Sequence, residues 1–181
     1  MMLFWRQGYE ATGIAEITAE LGIGRQSLYG TFGDKRALFL ASLDHYRSQV
    51  MTCVLTELRA EGSALANVRR VLDLWESSAA SGDGCGCFLI NSASELGLRE
   101  EELTKPLRQL LETLEDAFAT ALQRAIDEGE LRADVEPRGL ARGLLAIGHG
   151  LSVTAKVRKN RRFARDVIAG ARLLLDASLA D

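Results

Sequence analysis

Residues 13–32 read GIAEITAELGIGRQSLYGTF, two short helical patterns on either side of a Gly-Ile-Gly break. In the first pattern Ile14, Ile17 and Leu21 recur at i, i+3 and i+7, which places them on one helix face. Glu16 suits the positive end of that helix. Gly22 can adopt the positive φ that ends a helix, Ile23 is placed to plug the core, and Gly24 can cap the next helix. In the second pattern, Arg25 to Thr31, Leu28 and Phe32 stand four apart and face the core together. At ~100° per residue the opposite side carries Gln26 and Gly30, flanked by Ser27 and Tyr29.

Upstream, a first helix ends at Gly8, expected as a left-handed C-cap, with Tyr9 packing back on it. Downstream, Gly33-Asp34 is a turn, and Asp34 caps a long fourth helix that buries Leu38, Phe39, Leu43, Tyr46 and Val50. Further helices are expected at about 63–80, 86–97, 99–128, 136–158 and 161–179. Ser81-Gly82-Asp83-Gly84 reads as a loop, Gly129 as a helix stop, and Pro137 as a first-turn proline. The chain has only two prolines, Pro106 and Pro137, so long helices are permitted. The expectation is an all-α fold: an N-terminal three-helix helix-turn-helix unit over 1–40, with the motif at about 13–32, and a larger helical body over 41–181.

The 181 residues carry a net charge of −3, which does not advertise a nucleic-acid binder. Within 1–40, four bases (Arg6, Arg25, Lys35, Arg36) face four acids (Glu10, Glu16, Glu20, Asp34). DNA contact must therefore come from a few placed groups, not from a basic field. Three cysteines, Cys53, Cys85 and Cys87, do not make a disulfide framework, so a reducing, cytoplasmic setting is expected. No apolar run approaches the ~20 residues of a membrane span, and Met1 to Trp5 is too short for a signal peptide. No nucleophile–base–acid set, P-loop or dinucleotide fingerprint stands in the chain, so no enzyme activity, cofactor or metal site is expected.

Two short helices around a Gly-x-Gly break, the second exposing small polar groups, form a helix-turn-helix pattern. Its second helix would enter the major groove. Gln26 can pair bidentately with adenine, and Arg25 can reach guanine or a phosphate. Gly30 lets the backbone approach DNA closely, while Ser27, Tyr29 and Thr31 suit phosphate or base contacts. Thr12 and Lys35, near two helix N-termini, are placed to grip flanking phosphates. An ordinary helical hairpin would share the same core residues; only the outward ones discriminate.

The run Leu3-Phe4…Gly8-Tyr9…Thr12…Ile14…Ile17…Leu21-Gly22-Ile23…Leu28-Tyr29…Phe32…Lys35…Leu38 resembles the DNA-binding domain of the tetracycline-repressor (TetR) family. The resemblance implies a homodimer on a palindromic double-stranded DNA operator, with a C-terminal ligand-binding and dimerisation domain. Family contacts carried over fall on Thr12, Arg25, Gln26, Ser27, Tyr29, Thr31 and Lys35. Three features depart from the pattern. The sequence begins inside the first helix, where the family pattern has another turn or two and often a basic arm, so either the numbered start is late or part of the DNA grip is missing; Gly13 stands where Ser or Thr commonly caps the second helix, and Thr18 stands where alanine is usual.

In the body, Leu140, Leu144, Ile147, Leu151 and Thr154 make one stripe, with Gly139, Gly143, Gly148 and Gly150 allowing close approach. Phe163, Val167, Ala171 and Leu174 make a second. Burial within one subunit accounts for them as well as self-association does; the resemblance favours a four-helix dimer interface. It also places a pocket for a small apolar or aromatic ligand among the central helices, for which Trp75, Phe88, Asn91, Leu111, Leu114, Phe118 and His149 are candidates, though their spacing suits packing too. Asn91 and His149 are polar among apolar neighbours. Cys85-Gly86-Cys87 opens a helix, where a thiol's pKa falls, and Gly86-Cys87…Asn91 resembles a stretch in a subset of the family whose cysteines sense electrophiles; a C-x-C without histidine is a weak metal signal. The expected function is a repressor released by a small molecule; the alternative is a thiol-based redox or electrophile sensor using Cys85 and Cys87.

Overall fold

The computed structural model describes residues 1–81, 84–97, 101–158 and 160–180. Its helices run in the order α1 (Met2–Gln7), α2 (Ile14–Leu21), α3 (Arg25–Phe32), α4 (Lys35–Tyr46), a π-helical turn (Arg47–Met51), α5 (Thr52–Arg59), α6 (Ala64–Ser81), α7 (Phe88–Leu96), α8 (Glu101–Asp127), α9 (Pro137–Thr154) and α10 (Arg161–Asp176). Among the described residues there is no strand, only a single bridge between Leu131 and Leu179. The fold is all-α, as expected. Gly82, Asp83 and the expected start of a helix at 99 lie outside the described residues.

The helix ends follow the local chemistry. Gly22 sits in the left-handed region (φ 64°, ψ 27°), where glycine has no Cβ to clash. Asp34 caps α4 by accepting from the Ala37 N–H at 2.7 Å, and Asn160 caps α10 by accepting from Arg162 N–H at 2.8 Å. Gly8 has φ 90° but an extended ψ of 172°. It turns the chain sharply after α1, and Tyr9 folds back on Phe4 with ring centroids 6.1 Å apart.

α1 to α4 form the N-terminal unit around Phe4, Ile17, Leu28, Leu38 and Phe39, all buried. Burying a side chain such as Leu28 stabilises the unit by about 1.5–3 kcal/mol. Two expected core residues lie outside it. Leu21 is 55% exposed and Ile23 is 36% exposed. Leu21 shares the helix face of Ile14 and Ile17, but it stands in the last turn of α2, beyond the surface against which Ile17 is buried.

The expected long fourth helix is three segments. The π turn inserts one extra residue into the hydrogen-bonding repeat, which rotates everything after it. The buried side moves from Leu43 and Tyr46 to Met51 and Leu58, and Val50 is only half-buried.

In the body, α6 packs against α5, α8 and α10, and α9 lies between α8 and α10. Two carboxylates cap α6: Glu130 accepts from the Leu65 N–H at 2.8 Å, and Glu128 from the Ala64 N–H at 3.4 Å. An aromatic cluster joins the N-terminal unit to the body. Trp5 packs on Tyr46 (5.3 Å) and Phe88 (6.0 Å), and Phe39 packs on Phe88 (5.9 Å).

Candidate nucleic-acid interface

α3 is held by its apolar side. Leu28 is wholly buried and Phe32 half-buried, while Arg25, Gln26, Ser27, Tyr29, Gly30 and Thr31 are all exposed. All six predicted residues are therefore accessible on a helix docked on α2 and α4 through Leu28. A Cβ on Gly30 would meet nothing within 4 Å. The glycine is not needed for packing inside this protein, and it leaves that side of α3 flat. The Thr31 hydroxyl donates to Ser27 O at 3.0 Å, along the helix. Arg25 and Gln26 stand in the first turn, where side chains of a groove-entering helix meet base edges.

Lys35 opens α4 beside this surface. Its ammonium donates to Glu10 O at 3.3 Å and lies 4.6 Å from the centroid of the Tyr9 ring. The lysine is thus held over the turn between α1 and α2, with its charge near the surface.

Thr12 does not join the set. It is wholly buried, and its hydroxyl donates to Gly8 O at 2.6 Å. The expected phosphate contact is corrected: Thr12 closes the α1–α2 turn from inside. Its position before α2 was legible; its direction was not.

Three contacts that sequence patterns do not show hold the N-terminal unit on the body. The Glu95 carboxylate, near the end of α7, accepts from the Tyr9 and Glu10 N–H groups, both at 2.8 Å. The Trp5 indole N–H donates to Gly86 O at 3.1 Å. Arg36 pairs with Glu102 of α8. A single glutamate 86 residues from its partner Tyr9 gives no local signal.

The expected ligand-lining residues are not gathered in one chamber. Leu111 and His149 line a surface concavity of about 300 Å³ between α8 and α9, together with Leu145, Arg108, Glu115 and Arg142. Burial lowers the pKa of His149 from its ordinary value. A second concavity, about 430 Å³, lies between α5 and α8 over Leu58 and Ala121 and holds none of the expected residues. Trp75 packs on Phe118 with centroids 5.4 Å apart, and Leu114 is buried. Phe88 is corrected: it is wholly buried in the aromatic cluster against Trp5, Phe39 and Tyr46. Asn91 is also occupied, donating to Cys85 O at 2.7 Å and accepting from the Lys156 ammonium at 3.0 Å.

Cys85 and Cys87 are both half-buried. Cys87 precedes α7, and its Sγ is 3.2 Å from the Tyr46 hydroxyl. Burial, followed by the Cys87 sulfur, pushes the Tyr46 pKa well above that of an ordinary phenol.

The expected association stripes divide. Leu144, Leu151 and Ala171 are buried within the subunit, so they are corrected to core. Their spacing reports the intramolecular packing of α9 against its neighbours. Leu140, Ile147, Phe163 and Val167 remain partly accessible, and Leu174 is 42% exposed. Among the described residues no helix is long and apolar enough to cross a membrane.

Residues 1–42 match the family described as bacterial regulatory proteins, tetR family, and residues 64–171 match the tetracyclin repressor-like C-terminal domain. The chain is 36% identical over 157 residues to the uncharacterized HTH-type transcriptional regulator YezE of Bacillus subtilis (strain 168), covering 86% of this chain and 81% of YezE. It is 28% identical over 160 residues to the HTH-type transcriptional repressor ComR of Escherichia coli (strain K12), covering 86% of this chain and 75% of ComR. Among solved structures, a cysteine mutant of the TetR family transcriptional regulator CifR, complexed with 26-base-pair operator DNA, aligns with a TM-score of 0.83 at 30% identity, over 97% of this chain and 91% of that one.

Proposed function

The chain belongs to the TetR family of transcriptional regulators, and on that premise we infer that it is a repressor, a homodimer released from a palindromic operator by a small apolar or aromatic molecule. The observation that carries this reading is that Arg25, Gln26, Ser27, Tyr29, Gly30 and Thr31 of α3 are all exposed while Leu28 is buried. Two copies of α3, one DNA turn apart (~34–36 Å), would read the two half-sites. Arg25 and Gln26 would contact bases; Tyr29, Ser27, Thr31 and Lys35 would contact phosphates. The repressor sign is supported by the relative ComR, and the operator partner by the CifR complex.

Dimerisation would use what α9 and α10 leave accessible: Leu140, Ile147, Phe163, Val167 and Leu174. The α8/α9 concavity, with Leu111 and His149, supports a ligand site beside that interface. A ligand that binds one spacing of the two heads better than the other shifts the operator equilibrium by that difference.

The test is a gel shift on the double-stranded DNA upstream of the protein's own gene, repeated with small aromatic metabolites. Wild type should shift the fragment and release it with an inducer. Tyr29→Ala and Lys35→Ala should each weaken the shift; full binding by both variants would count against the assignment of α3.

A further inference from the structure

The two oxygens of the Glu95 carboxylate each take one backbone donor from the turn that follows α1. Oε2 accepts from Tyr9 N–H and Oε1 from Glu10 N–H, both at 2.8 Å. Gly8 makes room for this. Its φ is 90°, and a Cβ there would stand 2.5 Å from Oε2 and 2.9 Å from Cδ of Glu95. The same turn is held from its other sides. Thr12 Oγ1 donates to Gly8 O at 2.6 Å, and Lys35 Nζ donates to Glu10 O at 3.3 Å. Glu10 therefore has its N–H on a residue of the body and its carbonyl on a candidate phosphate-binding lysine.

Glu95 stands one residue before the end of α7 and Gly86 two residues before its start, so α1 is tied to the body at both ends of that helix. One tie would act as a pivot. Two ties at separated points fix an angle.

We propose that Glu95 is a positioning residue for operator recognition: its carboxylate sets the angle at which the α1–α3 head leaves the body, and so the spacing of the two recognition helices. This rests on the DNA-binding reading given above. Glutamine in its place can accept only one of the two N–H groups, because its amide nitrogen is a donor. Alanine accepts neither.

The experiment uses the full-length protein and an operator selected by wild type from a random pool of duplexes. Affinity is measured on that operator and on versions with one or two base pairs inserted or removed at its centre, alongside thermal melting. Wild type should lose at least about tenfold on the altered spacings, since a mis-spaced half-site forfeits its contacts. Glu95→Gln and Glu95→Ala should bind the native spacing about tenfold more weakly than wild type and should discriminate between spacings less than about threefold, as expected when at least one hydrogen bond to a charged acceptor is lost. Unchanged discrimination in Glu95→Gln overturns the proposal, whether its affinity is unchanged or uniformly lower at every spacing. A wild type that selects no duplex would instead overturn the DNA-binding reading itself.

Discussion

The six-membered ring of Trp75 lies directly against the backbone of Gly148: a Cβ at that position would stand 2.6 Å from Cε3 and 2.9 Å from Cη2 of the indole. In an exposed helix, replacing glycine by alanine is favourable by about 1 kcal/mol. Here the ring is also packed on Phe118, with centroids 5.4 Å apart. Overpacking of this kind costs about 1–3 kcal/mol. Gly148→Ala should therefore lower the melting temperature and alter Trp75 fluorescence. A stabilised variant would mean the ring moves freely.

Thr12 offers a test of direction. Thr12→Val keeps the shape and removes the hydroxyl that closes the α1–α2 turn. Loss of a buried hydrogen bond should cost about 1 kcal/mol of stability. The slope of operator affinity against salt should stay as in wild type, since no phosphate contact is lost. A reduced slope would put Thr12 back on the DNA.

His149 gives the protein an acid-sensitive element. Burial holds its folded-state pKa below the unfolded value of about 6.5. The unfolded chain therefore binds the proton more readily. Its contribution is fully present above the unfolded value and is lost as pH falls from there through the lower folded-state pKa. The charged groups around it, Arg108, Glu112, Glu115 and Arg142, share the same concavity. His149→Gln should melt with a weaker dependence on pH between 7.5 and 5.5 than wild type, in a range set by the ordinary histidine pKa. Equal slopes would show that these neighbours compensate the imidazole.

The two thiols separate the repressor reading from its rival. Cys85→Ser with Cys87→Ser keeps a polar atom opposite the Tyr46 hydroxyl. Operator release by a small aromatic inducer should be unchanged in the double variant. Loss of the response would make the thiols the sensor.

Local chemistry was readable from the sequence where it acts over a few residues. The glycine stop at Gly22, the Asp34 cap and the burial of Leu28 all follow from neighbours within one turn. Leu21 and Ile23 were misplaced because periodicity states which residues share a face, not how far the partner surface extends. The π turn at 47–51 leaves no mark in composition, yet it redirects the buried side of the following helix from Val50 to Met51. In the body, Leu144, Leu151 and Ala171 look the same whether they meet a helix of their own chain or of a second one. Glu95 was invisible, since its role depends entirely on where α7 meets the α1–α2 turn.

The aromatic cluster at Trp5, Phe39, Tyr46 and Phe88 crosses the boundary between the two family-matched segments. Phe88 and Glu95 come from the second segment, but they complete the interior and the turn of the first. The head therefore shares its interior with the body. Heating should melt head and body in one calorimetric transition, and a mutation in α7 would be felt as instability in the part that reads DNA.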